Sequence, residues 1–474
     1  MTTQLTPQSA AEHGAVAATL QALAAQLTGA LHLPGDARYT ELATPWNVAV
    51  ANTPVAVVEA GSPADVAAAL RFAGAHQLQV SVQATGHGAV AHHRPTLQIS
   101  TRALRELTIS PTGAVRAGAG LQWSDVIEAA APLGYAGLAG SAPGVGVVGF
   151  LTGGGIGPVA RTYGVSSDYV TAFDVVTGDG ELRRATATEN PALFWGLRGG
   201  KGALGFVTAV EFDLVPLTEL FGGCLYFDGA DAAPVLHAWR EWTPTLPEQA
   251  TSSIALMRLP AMPGVPEPLA GKVTVAVRYA WVGDPDDGSA AFAPMAAAGR
   301  VVLGGVGVLP YTAIGSIHND PVDPMPTAEA ATLLQTLPVD AVDALMAAAG
   351  PDAPCPQVIV ELRHLGGAIG RQQSGASAFS FRDAAYSLLT IGIAAPPVVD
   401  ATHASSAAIL AALAPWSDGS CLPNFHATSD PGQIKRKYDP ATLARLATLA
   451  TTYDPHGVVA DAAPFRDAAW MHEG

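Results

Sequence analysis

The chain has 474 residues, 49% of them apolar and only 14% charged, with 24 basic against 40 acidic side chains and a net charge of −16. So apolar a chain is not disordered, and its 50 glycines and 37 prolines lie between periodic segments, not in collagen-like or linker-like repeats. The negative field argues against a nucleic-acid role. With only four lysines, any bound phosphate must be held by backbone N–H groups.

At roughly 100–200 residues per domain, the length predicts two to four domains. Cys224, Cys355 and Cys421 are odd in number and far apart, and no CxxC occurs. That argues against a disulfide framework and a thiolate zinc site, and no metal is expected. The N-terminus lacks a basic n-region, and Gln21 and Gln26 interrupt its apolar positions. Ala129 to Ala160 carries no charge, but nine glycines and two prolines between Gly137 and Ala160 argue for close-packed loops over a membrane span. The expectation is a soluble, cytoplasmic protein.

In chain order, Ala15 to Leu31 predicts a helix from Leu20, Leu23, Leu27 and Leu31. Ala56–Ala60 predicts a strand. Ser62-Pro63-Ala64-Asp65 then opens a helix, with Ser62 as N-cap, Pro63 at its first position and Asp65 at the positive end of the dipole. Further strands are predicted at Val80–Val82, Leu97–Ile99 and Val115–Gly118, and a helix over Gln122–Ala131. Val170–Thr177 and Phe206–Leu214 predict strands on either side of a short helix over Glu189–Trp195. Beyond Pro216, strands at Val273–Trp281 and Val358–Leu362 alternate with Ala-rich helices such as Thr327–Leu337. From Asn424 on, a loop and one helix over Pro440–Thr451 are expected. This alternation predicts an α+β fold in two lobes.

Two loops carry chemistry. In Gly140 to Gly157, eight of 18 residues are glycine, where the whole-chain rate gives about two. The block contains a literal GxGxxG, Gly144 to Gly149. A Rossmann site needs a strand before this motif and a helix on its later glycines. Here Pro143 precedes it, and Gly153-Gly154-Gly155 would break the helix after it. A longer loop around an extended ligand is preferred to that reading and to a merely structural turn. The second loop, Thr85-Gly86-His87-Gly88, comes after the Val80–Val82 strand, and small neighbours leave room for something large against the His87 ring. A metal site built with His92 and His93 lacks further ligands.

Together these segments resemble the FAD-binding domain of the vanillyl-alcohol oxidase superfamily, specifically the berberine-bridge-enzyme-like flavoproteins. The resemblance rests on Trp46-Asn47, Thr53-Pro54, the Asp65-Val66 helix, the Thr85-Gly86-His87 loop and the glycine block. It continues through Arg161 to Asp168, Asn190 to Gly200 and Gly205 to Phe212, and returns at Asn424-Phe425 and Tyr453-Asp454-Pro455. It implies a PCMH-type FAD-binding domain over 1–216, rejoined by 424–474, and a substrate-binding domain of antiparallel sheet plus helices over 217–423.

By the same resemblance, Ala84, Thr85, Gly86, His87 and Gly88 hold the FAD pyrophosphate, and His87 bonds covalently to the flavin 8α-methyl. Ala142, Pro143, Val145, Gly146, Val148, Gly149, Thr152, Gly153, Gly154 and Gly157 line the flavin and phosphates. Asp168 belongs to the cofactor set, Val207 touches the adenine end, and Asn424 returns to the flavin. Ala142 stands where many relatives carry a second, cysteinyl link, leaving His87 alone. Gln83 replaces a usual arginine, and Leu422 replaces a tyrosine that serves as part of the base. Gly140 lies where relatives control oxygen access.

The implied activity is hydride removal from a C–H bond next to oxygen or nitrogen of a small organic or natural-product substrate, with the flavin reoxidised by dioxygen. The alternatives are oxidative cyclisation, oxygenation, or a non-redox reaction with FAD as scaffold. For the base, Glu361-Leu-Arg363-His364 runs into Gly366-Gly367. Residues 361 and 363 share one strand face and 364 takes the other. A surface Glu361–Arg363 salt bridge is the competing reading. His426 and Tyr311 are further candidates. The oligomeric state stays open, a homodimer among the options.

Overall fold

The computed structural model describes residues 19–372 and 375–470. Its strands form three sheets. The first has the order Ala30–His32, Ala56–Glu59, Thr96–Ser100, Gln79–Gln83, with the last three strands parallel. Helix Pro63–Ala75 covers it, burying Val66, Leu70 and Ala73. As expected, Ser62 caps this helix and Pro63 opens it. Asp65 does more than meet a dipole: its carboxylate accepts from the amides of Thr28, Gly29 and Gly61 at 2.8–2.9 Å, pinning the preceding turn to the helix.

The second sheet is antiparallel, ordered Leu107–Ile109, Ala114–Gly118, Phe206–Asp213, Val170–Val176, Leu182–Thr186. The third is a seven-stranded antiparallel sheet ordered Val301–Pro310, Glu219–Asp228, Val273–Trp281, Ala250–Arg258, Ile359–His364, Tyr386–Ile393, Thr327–Leu334. Side chains alternate across it with the period of two that a strand imposes. Val277, Tyr279, Val360, Leu362 and Leu388 join Trp239 and Trp242 in an apolar core beneath the helices Ala232–Trp242 and Val339–Ala349. The opposite face presents Arg278, Glu361, Arg363, Leu389 and Ile391 to the glycine loops. Buried Asn47 joins the two halves: its amide donates to the Thr327 carbonyl at 2.9 Å, and its carbonyl accepts from the Thr327 amide at 3.0 Å. At the C-terminal end, helices Pro440–Tyr453 and Ala463–Trp470 pack back on the first lobe, where Leu443, Leu446 and Phe465 share a core with Leu193 and Leu197.

Three expectations fail. The first predicted helix ends by residue 24, and Leu31 lies in a strand; positions 15–18 fall outside the described residues. Thr327–Leu337, expected as a helix, is an edge strand over Thr327–Leu334, paired from Thr327↔Ile393 to Leu334↔Tyr386. Ala, Glu and Leu favour a helix locally, and the open sheet edge overrides that preference. The C-terminal segment also holds two helices that were not foreseen, Pro431–Lys435 and Ala463–Trp470.

Candidate cofactor and active site

The two loops and the open face of the large sheet enclose a cavity of about 460 Å³. Ala84 to Gly88 forms one wall, immediately after strand Gln79–Gln83. The carbonyls of Thr85 and Gly86 accept from the amides of Trp46 and Asn47, at 3.0 and 3.4 Å. The amides of Thr85, Gly86, His87 and Gly88 find no acceptor among the described residues. Gly86 has φ +81°, and a Cβ there would stand 2.5 Å from the Pro45 Cα, so the turn requires glycine. Four consecutive unpaired donors in such a turn form an anion-binding concavity.

The His87 ring stacks on Trp46, with centroids 4.7 Å apart and planes 13° off parallel. Its Nδ1 lies 2.9 Å from Thr85 Oγ1. Burial lowers its pKa to about 4, against a weak opposing pull from Asp320, so the imidazole is neutral at pH 7. A neutral ring with one nitrogen engaged keeps a second nitrogen for other chemistry.

The glycine block supplies the facing wall through Gly140, Ala142, Val145, Gly146, Val148, Gly149 and Thr152. It contains a five-residue helix, Val147–Leu151. A Cβ on Gly146 would lie 3.5 Å from the Ala84 Cβ, so the two loops meet there. Several expected cofactor residues do not reach the cavity. The Pro143 carbonyl accepts from the Ser124 amide, tying the block to helix Trp123–Ala130. Gly153, Gly154 and Gly157 lie where a Cβ would strike Asn424, the Phe379 ring and the Ala139 carbonyl, so these glycines serve close packing. Asp168 binds Arg382 through two bonds of 2.7 and 2.8 Å, a buried pair joining the lobes. Val207 and Asn424 do line the cavity.

Asn424 donates to the Phe150 carbonyl at 2.9 Å and accepts from Lys201, whose ammonium also reaches the Gly149 carbonyl at 3.3 Å. Burial, then Lys437, lowers the Lys201 pKa to about 7. Glu329, on strand Thr327–Leu334, also lines the cavity. Burial raises its pKa to about 7, with Lys201 pulling the other way. Its carboxylate has no hydrogen-bond partner among the described residues.

The Glu361 pair with Arg363 exists, but it is buried and part of a larger cluster. Glu361 Oε1 accepts from Arg278 Nη1 at 2.6 Å and Ser253 Oγ at 2.7 Å, and Oε2 accepts from Arg363 Nε at 2.8 Å. His318 Nε2 stands 3.5 Å away. Burial opposes ionisation here, but Arg363, Arg278 and His318 outweigh it and hold the carboxyl well below its usual range. A carboxylate so committed is a poor proton acceptor. His364 turns to the other strand face and stacks on Tyr386, and burial followed by Arg161 drives its pKa to about 3. His426 gives Nδ1 to the Glu329 backbone carbonyl at 3.0 Å and lies outside the cavity lining. Tyr311 donates its hydroxyl to the Gly137 carbonyl at 2.5 Å, deep in the core. The three expected catalytic side chains are therefore poorly suited to the role of base. Gln83 spends its amide on the Leu42 and Thr44 carbonyls, and Leu422 is buried among apolar side chains.

Residues 54–186 match the family model described as an FAD binding domain. The chain is 27% identical over 307 residues to (R)-6-hydroxynicotine oxidase from Paenarthrobacter nicotinovorans, covering 62% of this chain and 64% of that enzyme. It is 38% identical over 179 residues to FAD-linked oxidoreductase easE from Trichophyton verrucosum, covering 34% and 30%. The aligned stretches thus span under two thirds of either curated relative. Among solved structures, 6-hydroxy-D-nicotine oxidase from Arthrobacter nicotinovorans superposes with a TM-score of 0.78 at 22% identity, over 91% of this chain and 96% of that one. The Physcomitrella patens BBE-like 1 protein gives 0.80 at 16% identity, over 93% and 97%.

Residues 54–186 thus match an FAD binding domain, and the chain shares the fold of the nicotine oxidase and of the BBE-like 1 protein. The residues present fit that cofactor: four unpaired amides suit an anionic pyrophosphate in a chain with few lysines, and the neutral His87 imidazole lies in the same wall. The sequence hid Arg278, Lys201 and Glu329. A lone arginine inside the apolar strand Val273–Trp281 was a usable signal, as was a lysine within Gly199-Gly200-Lys201-Gly202. Glu329 carried no usable signal, because the helix expected there gives no sheet face for it to share.

Proposed function

We propose that this flavoprotein is an oxidase of a small organic substrate, with FAD attached through His87 alone. When bound, FAD supplies a two-electron acceptor for a hydride taken from carbon next to oxygen or nitrogen, and dioxygen takes the electrons onward to give hydrogen peroxide. The amides of Thr85 to Gly88 would carry the anionic tail, Val207 would meet the adenine end, and Ala142 would leave no second attachment point. The sheet face bearing Glu329, Ile391 and Arg363 would close over the reacting centre and exclude water. Glu329, with its pKa brought to about 7 by burial, is the best matched of the lining groups to receive the substrate proton.

The observation that carries this reading is the neutral, stacked His87 beside four unpaired amides in the cavity wall. Acid precipitation of the purified protein should leave yellow flavin on the polypeptide, and His87→Ala should release it. Full release from the wild type would refute the covalent link; a colourless wild type would refute the cofactor site. Peroxide release during turnover separates an oxidase from a non-redox use of the flavin.

A further inference from the structure

We propose that the sheet end of the cavity is a carboxylate-binding subsite, with Arg363 receiving the acid group of the substrate. The inference rests on the flavin reading only for what the bound acid would be presented to.

The Arg363 side chain is 13% exposed, and its Nε is fixed on Glu361 Oε2 at 2.8 Å. Its guanidinium carbon sits over the Phe425 ring, 5.0 Å from the centroid. One edge of the guanidinium is thereby anchored and one face covered. Nη1 and Nη2 have no partner among the described residues and are not fully buried, and Arg363 lines the cavity. Two parallel N–H donors on a fixed plane match a planar carboxylate bidentately.

The anchor cannot serve as the permanent counter-ion. Glu361 already binds Arg278 and Ser253 through its other oxygen, so two guanidiniums share one carboxylate and leave an excess of one positive charge. Arg278 is 2% exposed and also lines the cavity. Its Nη2 meets only the Met257 sulfur at 3.8 Å, and its Nε is buried without any partner. Buried unpaired donors are costly, and an anion in this space would relieve that cost. The surroundings are apolar, with Ile359, Leu389, Ile391 and Phe425 in the lining, which strengthens a charge-assisted bond and suits the carbon skeleton of an organic acid. Half-buried Asp320 and Glu329 line the same cavity and would instead favour a cation.

The test uses the flavin-loaded protein and three ring-matched probes: benzoate, benzamide and benzylamine. Each is titrated by calorimetry and by the change in flavin absorption at neutral pH and low salt. Benzoate should bind at least about tenfold more tightly than benzamide, with benzylamine weakest. Arg363→Met should weaken benzoate at least about tenfold and leave benzamide unchanged, and Arg363→Lys should fall between. The proposal is overturned if benzoate does not bind at millimolar concentration, if benzamide or benzylamine binds as well, or if Arg363→Met shifts benzoate by less than about twofold. Should Arg363→Met not fold, the wild-type comparison of the three probes decides alone. Should the protein be colourless, the flavin reading fails while the calorimetric ranking still tests the anion site.

Discussion

Removing the carboxylate that two buried guanidiniums share should be more damaging than removing it together with the deeper of the two. In Glu361→Leu, Arg278 loses its 2.6 Å ion-pair partner while remaining 2% exposed, and Arg363 loses its partner as well. Removing one partner of a buried pair costs about 3–5 kcal/mol, against a total stability of about 5–15 kcal/mol for a domain. With a urea slope of about 3 kcal/mol/M, the midpoint should fall by about 1–1.7 M. The double variant Arg278→Met/Glu361→Leu removes the more deeply buried of the two stranded guanidiniums and should be no less stable than Glu361→Leu alone, so the effects are strongly non-additive.

The pH dependence has a definite sign. The folded pKa of Glu361 is depressed, so its stabilisation is complete above its unfolded value of about 4.3 and is lost as pH falls through the folded value. The gap between wild type and Glu361→Leu should therefore narrow in acid. Urea unfolding monitored by tryptophan fluorescence at several pH values measures all of this. A single-variant loss below about 1 kcal/mol, or simple additivity in the double, would falsify the view of Glu361 as a structural anion.

Two other outcomes are expected from the same geometry. Glu329 is protonated below about pH 7, so anaerobic flavin reduction should rise with pH through that value; Glu329→Gln should be about 10²–10⁴-fold slower and lose the rise, and an unchanged profile would remove Glu329 from the reaction. Asp65→Ala strands the amides of Thr28, Gly29 and Gly61 and should cost at least about 2 kcal/mol in urea unfolding, whereas a neutral effect would mean water replaces the carboxylate.

Local signals are reliable where a residue's own backbone chemistry is decisive. Ser62-Pro63 caps a helix, Val273–Trp281 forms a strand with the expected bounds, and Thr85 to Gly88 makes a turn with free amides, because caps, strand periodicity and positive φ are local properties. Such signals fail where one sequence supports two structures. Thr327–Leu334 has helix-forming residues, and only the neighbouring strand Tyr386–Ile393 makes it extended. That ambiguity conceals Glu329.

The sequence by itself pointed to the cofactor class through a family resemblance, and the glycine-rich loops that carry much of it act through main-chain amides. Tertiary structure alone decided which charged side chains are available for chemistry. Glu361 and His364 stand three positions apart on one strand, yet one is clamped between two guanidiniums and the other faces the helices. Ion pairing, burial and cavity access come from strands far apart in the chain. Ser253 and Arg278 meet the Glu361–Arg363 pair only when their strands are laid side by side, and no local pattern encodes that meeting.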